Sequence, residues 1–272
     1  MINQLKTKIF NRKCAKFSFA QAGEDLVLRR IFLGVEKGFY VDVGAYHPYK
    51  LSNTYLFYLN GWRGINIEPR PDSRQLFDKV RPGDINLEVG IGEASGMSDY
   101  YQFNEDTLNQ FAFTDSTITN PPQSNQVVRI QVEPLAKIFE HHIGKNGSID
   151  FITIDTEGAE YYVLKSNNWV DFSIKVILVE QNKKYPAFYE VADLLKNKNY
   201  KVNIIPNLET MPSRSPRKNS STAVVKKTNH CFKCFVAKRL WMVSVNMYDF
   251  MGLLDICPCN TLHAIKPYVS CK

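Results

Sequence analysis

Residues 39–92 are the stretch that most constrains the fold, because they pack strand, helix, strand, helix, strand into a short and regular spacing. Gly38-Phe39-Tyr40-Val41-Asp42-Val43-Gly44 is a β-rich apolar run closed by glycine, the pattern of a buried strand. Ser52-Asn53-Thr54 offers a helix N-cap, and the helix begun at Tyr55 stops at Gly61. Gly64 to Glu68 reads as a second strand ended by Pro69, and Asp72 to Val80 as the next helix. Ile85 to Val89 reads as a third strand running into a glycine-rich bend, Gly90-Ile91-Gly92. Short strands alternating with helices predict half of a doubly wound, mostly parallel sheet.

The rhythm resumes further on. Leu135, Ile138, Phe139 and Ile143 have helical spacing, and Asp150 to Asp155 reads as a fourth strand. A helix from about Ala159 to Lys165 leads to a fifth strand, Lys175 to Glu180, and then to a helix from Phe188 to Lys196. Tyr200 to Ile205 and Thr222 to Val225 suit a terminal antiparallel pair. Between these halves, residues 98–134 lose the pattern and are expected to be an insertion over the end of the sheet. Its aromatic residues Tyr100, Tyr101, Phe103, Phe111 and Phe113 fit a sugar-stacking lid and a small core of its own equally well.

Charge narrows the partners. The net charge is +7 over 272 residues, yet it is unevenly spread. Phe17 to Leu195 carries 16 Lys+Arg against 24 Asp+Glu, whereas Lys196 to Arg239 carries 11 against the single acid Glu209. An enzyme acting on nucleic acid is expected to concentrate cations around its cleft, and the acidic half of this chain holds the motifs. No run approaches the length of an apolar membrane span, and the basic leader 1–16 has no signal-peptide core. The six cysteines are too uneven for a disulfide framework, so a cytoplasmic location is expected.

Ligands of such sheets bind beyond the carboxyl ends of the strands. Three ends here are polar or glycine-rich: Asp42-Val43-Gly44-Ala45, Glu68-Pro69 and Asp155-Thr156-Glu157-Gly158. A dinucleotide needs a G-x-G-x-x-G turn against its pyrophosphate, but Tyr46 and Tyr49 stand where the second and third glycines belong. No phosphate-binding G-x-x-x-x-G-K-[ST] is present either. S-adenosylmethionine has no phosphate and requires only one close-approach glycine. Glu68 then sits where a carboxylate would accept both ribose hydroxyls.

Phe39-Tyr-Val-Asp-Val-Gly-Ala-Tyr-His-Pro48, Ser52-Asn53-Thr54, Gly61-Trp62, Ile67-Glu68-Pro69 and Arg81-Pro82-Gly83-Asp84 together resemble the FkbM-type methyltransferase family. So do Ile154-Asp155-Thr156-Glu157-Gly158-Ala159-Glu160 and Gln21-Ala22-Gly23-Glu24-Asp25, with Ala20 in place of a serine. The resemblance spans about residues 17–227 and leaves 228–272 as an extension of unknown role. It implies a Rossmann-like Class I methyltransferase fold: a mostly parallel seven-stranded sheet, helices on both faces and a terminal antiparallel hairpin. It also implies S-adenosylmethionine as donor and O-methylation, often of sugars or secondary metabolites.

The candidate donor-binding residues are Asp42, Gly44, Ala45, Asn53, Thr54, Glu68, Pro69 and Gly90. In-line methyl transfer needs alignment and a base for the hydroxyl proton. Asp155 or Glu157 is the first choice for that base, and Glu24 or Asp25 the second. Glu157 and Glu160 equally suit capping of the following helix. Asp155 and Glu157 have the oxygen chemistry for Mg²⁺, but no third ligand is evident and no metal is expected. His47 is placed to touch substrate or to be a solvated loop residue, while His141 and His142 read as surface. Cys231-x-x-Cys234 with Cys257-x-Cys259 departs from zinc-site spacing, so free thiols are expected there. The acceptor is expected to be a small molecule or glycan. The rival readings are a nucleic-acid methyltransferase and a non-catalytic scaffold on the same fold.

Overall fold

A computed structural model describes residues 17–102, 110–111, 126–182, 188–206 and 220–227. The chain separates into Met1–His230 and Cys231–Lys272, and the C-terminal cysteines and the leader lie outside the described residues. So do Phe103 and Phe113 of the insertion.

The elements run α1 (Glu24–Ile31), β1 (Phe39–Val43), α2 (Tyr55–Leu59), β2 (Arg63–Ile67), α3 (Ser73–Val80) and β3 (Ile85–Leu87). Then come β4 (Gly90–Ile91), β5 (Gly96–Gln102), β6 (Gln110–Phe111) and β7 (Gln126–Glu133). The chain continues through α4 (Leu135–His142), β8 (Ser148–Ile154), α5 (Glu160–Lys165), β9 (Ser173–Asn182), α6 (Phe188–Asn197), β10 (Tyr200–Pro206) and β11 (Ser220–Lys227). Seven strands form the main sheet in the order β3-β2-β1-β8-β9-β11-β10. Pairing is parallel from β3 to β9, and β11 lies antiparallel between β9 and β10. The order reverses direction between β1 and β8, which fixes the switch point of the sheet there.

Strand alternation explains the two faces. Val41, Val43, Ile65, Ile67, Ile152, Ile154, Ile177 and Val179 pack with Leu135 and Phe139 of α4, Val163 and Leu164 of α5, and Val191 and Leu195 of α6. On the other face Tyr40, Phe151, Val176 and Leu178 meet Leu28 of α1, Phe57 of α2 and Trp62. There Phe57 and Phe151 rings lie 4.7 Å apart and Phe57 and Trp62 4.9 Å apart, contacts worth about 0.5–1.5 kcal/mol each beyond their buried area. With helices on both faces, the carboxyl ends of the strands are where a sheet of this kind takes its ligand.

The insertion differs from the expectation. Gly90-Ile91 is not a bend but a strand, and the region is a second sheet of order β4-β7-β5-β6. β5 pairs with β7 over Gly96–Gln102, so the irregular stretch begins in a regular ladder. Its alternation is weak because one face is solvated; among the described residues Tyr100, Ile130 and Val132 cluster beneath it, with Val128 packed against them. Tyr100 therefore belongs to the small core of this sheet.

Candidate active site

The carboxyl ends of β1, β2, β8 and β9 meet at the switch point. Gly44 adopts φ +77, and a Cβ there would collide with the carbonyl oxygen of Asp155. Asp155 N in turn donates to Val43 O at 3.0 Å, so the turns after β1 and β8 are locked together. Only glycine meets both the backbone conformation and the close approach. Gly44 N and Ala45 N both donate to Ile67 O, at 3.0 and 3.1 Å, which ties the same turn to β2.

Glu68, just past β2, is buried. Its Oε2 accepts from Tyr46 N at 2.7 Å and its Oε1 from Arg70 N at 3.0 Å. Each oxygen keeps a second lone pair, so the carboxylate can hold a pair of neighbouring hydroxyls while pinning both loops. Burial raises its pKa, and the two amide hydrogen bonds work against that rise. Pro69 is buried beside it, and Ser73 Oγ donates to Glu68 O at 2.9 Å.

On β8 and β9 the carboxylates of Asp155, Glu157 and Glu180 come within 4.8 Å of one another, all half-buried. These three have the geometry to hold a divalent cation. Glu180 was not evident from the sequence as a partner for Asp155. The signal was present in the register, since Ile154 pairs with Val179 and thus sets the next residues, Asp155 and Glu180, side by side. Glu157 has φ 51, a left-handed value that is uncommon for a non-glycine residue. Glu160 holds that turn: its Oε1 accepts from Thr156 N at 3.0 Å, Thr156 Oγ1 at 3.1 Å and Gly158 N at 3.1 Å. Glu160 thus ties down the turn that precedes the helix rather than capping the helix with its side chain.

Beneath the β1 turn lies a polar network centred on Arg81, whose side chain is fully buried. Its Nε donates to Pro48 O (2.6 Å), Nη1 to Thr54 Oγ1 (2.8 Å) and Asn66 Oδ1 (3.0 Å), and Nη2 to Ser52 Oγ (2.7 Å). Asp84 lies 3.9 Å from it as counter-charge, and also accepts from Tyr40 Oη at 2.5 Å. In the sequence Arg81 stands out only as part of the Arg81-Pro82-Gly83-Asp84 run. Its function is to set the 48–54 loop on the sheet.

Asp42 belongs to this network and not to an open surface. Thr54 Oγ1 donates to its Oδ2 at 2.5 Å, and burial pushes its pKa up to about 6. Asn53 Nδ2 donates to Thr153 Oγ1 at 2.9 Å, bridging the loop to β8. Ser52, rather than Thr54, receives the first amide of α2, from Tyr55 N at 3.1 Å. Gly90 is buried in β4, paired with Val132.

The second-choice bases are held elsewhere. Asp25 is buried, with Ser18 Oγ donating to Oδ1 at 2.6 Å and Phe19 N to Oδ2 at 2.8 Å. Glu24 Oε2 accepts from Ala22 N at 2.9 Å. Both therefore shape the segment that enters α1. His47 Nδ1 accepts from Tyr49 N (3.3 Å) and Lys50 N (3.2 Å), leaving its hydrogen on Nε2. Burial, with Lys50, Arg70 and Arg81 nearby, lowers its pKa. With Nδ1 taken by the two amides, Nε2 is the ring position that faces away from the loop backbone.

The doubly wound sheet with its switch point between β1 and β8 is a Rossmann-like fold. The methyltransferase FkbM domain family matches residues 42–202, more than half of the chain, and the chain belongs to that family. With that membership goes the reaction class: it is an S-adenosylmethionine-dependent methyltransferase. Among solved structures it is similar to a TehB-like SAM-dependent methyltransferase from Corynebacterium glutamicum, at 9% identity and a TM-score of 0.39 over 83% of this chain and 97% of that one. It is also similar to an O-methyltransferase from Bacillus cereus in complex with SAH, at 11% identity and a TM-score of 0.42 over 83% and 89%. A search of curated proteins gives no match.

Proposed function

We propose that the enzyme transfers a methyl group to a hydroxyl of a sugar, glycolipid or secondary-metabolite acceptor at the β1–β8 edge. The observation that carries this reading is the carboxylate group Asp155–Glu157–Glu180 against the Gly44 turn. A hydroxyl is a poor nucleophile, and an oxygen base beside the donor turn answers that need. When bound, S-adenosylmethionine supplies an electrophilic methyl on a sulfonium. Glu68 accepts the ribose hydroxyls, while Gly44 and Ala45 keep the backbone turn flat under the donor. Asp155 takes the hydroxyl proton, with Glu157 next to it. The described residues contain no helix long and apolar enough to cross a membrane. The uneven cysteines support a cytoplasmic location.

Calorimetry with S-adenosylhomocysteine tests the donor half. Loss of two charge-assisted hydrogen bonds in Glu68→Ala should weaken binding by about 100-fold or more, and equal affinity in a folded variant would remove Glu68 from the site. Turnover tests the base: Asp155→Asn should lower kcat by roughly 10²–10⁴-fold with donor affinity unchanged. Wild-type turnover in that variant would reassign the proton transfer.

A further inference from the structure

Tyr46 stands where a dinucleotide-binding turn would carry its second glycine, yet its backbone takes a conformation that favours glycine. Its φ is 53, and His47 N closes a three-residue turn on Ala45 O at 2.5 Å with Tyr46 at the centre. A three-residue turn around a left-handed residue is a rare and strained form, and a bulky side chain suits it badly. The surroundings nevertheless enforce it. Tyr46 N donates to Glu68 Oε2 at 2.7 Å, and Tyr46 O accepts from Arg70 Nη2 at 3.1 Å. Glu68 Oε1 accepts from Arg70 N at 3.0 Å, so the two residues close a ring of hydrogen bonds around the Tyr46 backbone.

The side chain gives the fold little in return. Tyr40 and Tyr100 are buried in apolar clusters. Tyr46 is half-buried and belongs to none of those clusters among the described residues, and its ring lies 6.2 Å from that of His47. Strain that is held from outside, without packing to offset it, points to a binding role. The position says toward what. Tyr46 follows the Gly44-Ala45 turn directly and is bonded on its other side to Glu68. In the site proposed above, Glu68 takes the ribose hydroxyls and the Gly44 turn lies under the methionine end. The sulfonium of S-adenosylmethionine is the atom that joins those two parts. A residue fastened between Glu68 and the Gly44 turn is therefore the neighbour of the donor's positive charge.

We infer that the Tyr46 ring is the surface on which the enzyme distinguishes its charged donor from the neutral, spent product. An aromatic face attracts a ligand cation through its quadrupole, whereas the thioether of S-adenosylhomocysteine has no charge to attract. This assignment rests on the donor site proposed above and adds a specificity-determining residue to it. It also gives the strained turn a purpose, since a ring that favours the cation helps fresh donor displace product.

Calorimetric titration of the full chain with S-adenosylmethionine, S-adenosylhomocysteine and sinefungin tests the assignment. Sinefungin carries an ammonium group in place of the methylated sulfonium, so it reports on charge independently of sulfur. Tyr46→Asn removes the ring, and Asn enters the left-handed region readily, so the turn is kept. In that variant the preference for each cation over S-adenosylhomocysteine should fall roughly 3- to 30-fold. Tyr46→Phe keeps the ring and should keep the wild-type preference. Glu68, Asp155, Glu157 and Glu180 are present in both variants, so a lost preference belongs to the ring. Equal weakening of all three compounds in Tyr46→Asn, or no weakening, would overturn the assignment. A preference lost in Tyr46→Phe as well would trace it to the phenol hydroxyl and overturn it too. Wild-type protein that binds none of the three would sink the donor site and this residue together. Binding that survives Glu68→Ala, with the preference still lost in Tyr46→Asn, would instead remove Glu68 and keep Tyr46.

Discussion

Asp42 shows how far a residue's role depends on what lies behind it. In the sequence it is an acid two positions before a glycine turn, which suggests a ligand contact. In the structure its alternation on β1 points it to the face of Tyr40 and Asn66, where Thr54 and Arg81 wait. No periodicity announces a buried guanidinium with four side-chain and backbone acceptors, because its partners are scattered from Pro48 to Asp84. The placement has a pH signature. Burial raises the Asp42 pKa from 3.8 to about 6, so the folded chain holds a proton that the unfolded chain has released. Stability contributed by the neutral carboxyl is full below pH ~4 and is lost as pH rises through about 6, a change of about 3 kcal/mol. Glu68, Asp84 and Glu160 are shifted in the same direction by burial. Urea unfolding between pH 4 and 7 should show Asp42→Asn gaining on the wild type by that amount. A constant gap across the range would clear Asp42 as the source.

At the scale of elements, the parallel strands and their helices were legible because each is a short apolar run bounded by glycine, proline or a polar cap. The second sheet was not. One face of its long strands is solvated, and β5 and β7 bury only Tyr100, Ile130 and Val132, so their pattern is diluted by Ser98, Asp99, Arg129 and Gln131. The Gly44 turn was half legible: the need for one glycine was readable, but its reason was not. That reason is the carbonyl of Asp155, a residue more than a hundred positions away. Gly44→Ala must therefore push β8 from β1 or abandon the turn. It is expected to cost several kcal/mol and to abolish S-adenosylhomocysteine binding even where folded protein is recovered. A soluble Gly44→Ala protein with native affinity would show that the two turns are free to part.

For the molecule as a whole, family, sheet and donor could be read from the sequence, whereas the third carboxylate and the buried network needed the fold. Parallel register alone sets Glu180 beside Asp155, and register is a property of the assembled sheet. Ligand linkage gives a test on the same scale. S-adenosylhomocysteine at about 100 times its Kd should stabilise the folded chain by about 2.7 kcal/mol, which raises Tm by roughly 5–10 °C for a domain of this size. The shift should vanish in Glu68→Ala. An equal shift in both proteins would mean that the compound stabilises the chain from some other place.

The strand order also bears on how the chain is made. β9 and β10 never touch along the sheet, because β11 occupies the space between them. During synthesis, the hydrogen-bonding edge of β9 stands ready long before residues 220–227 leave the ribosome. Until they arrive, the nascent protein carries an unfinished edge that any extended segment can fill. Closure of the sheet is therefore among the last events of folding, and chaperone demand should concentrate in that interval.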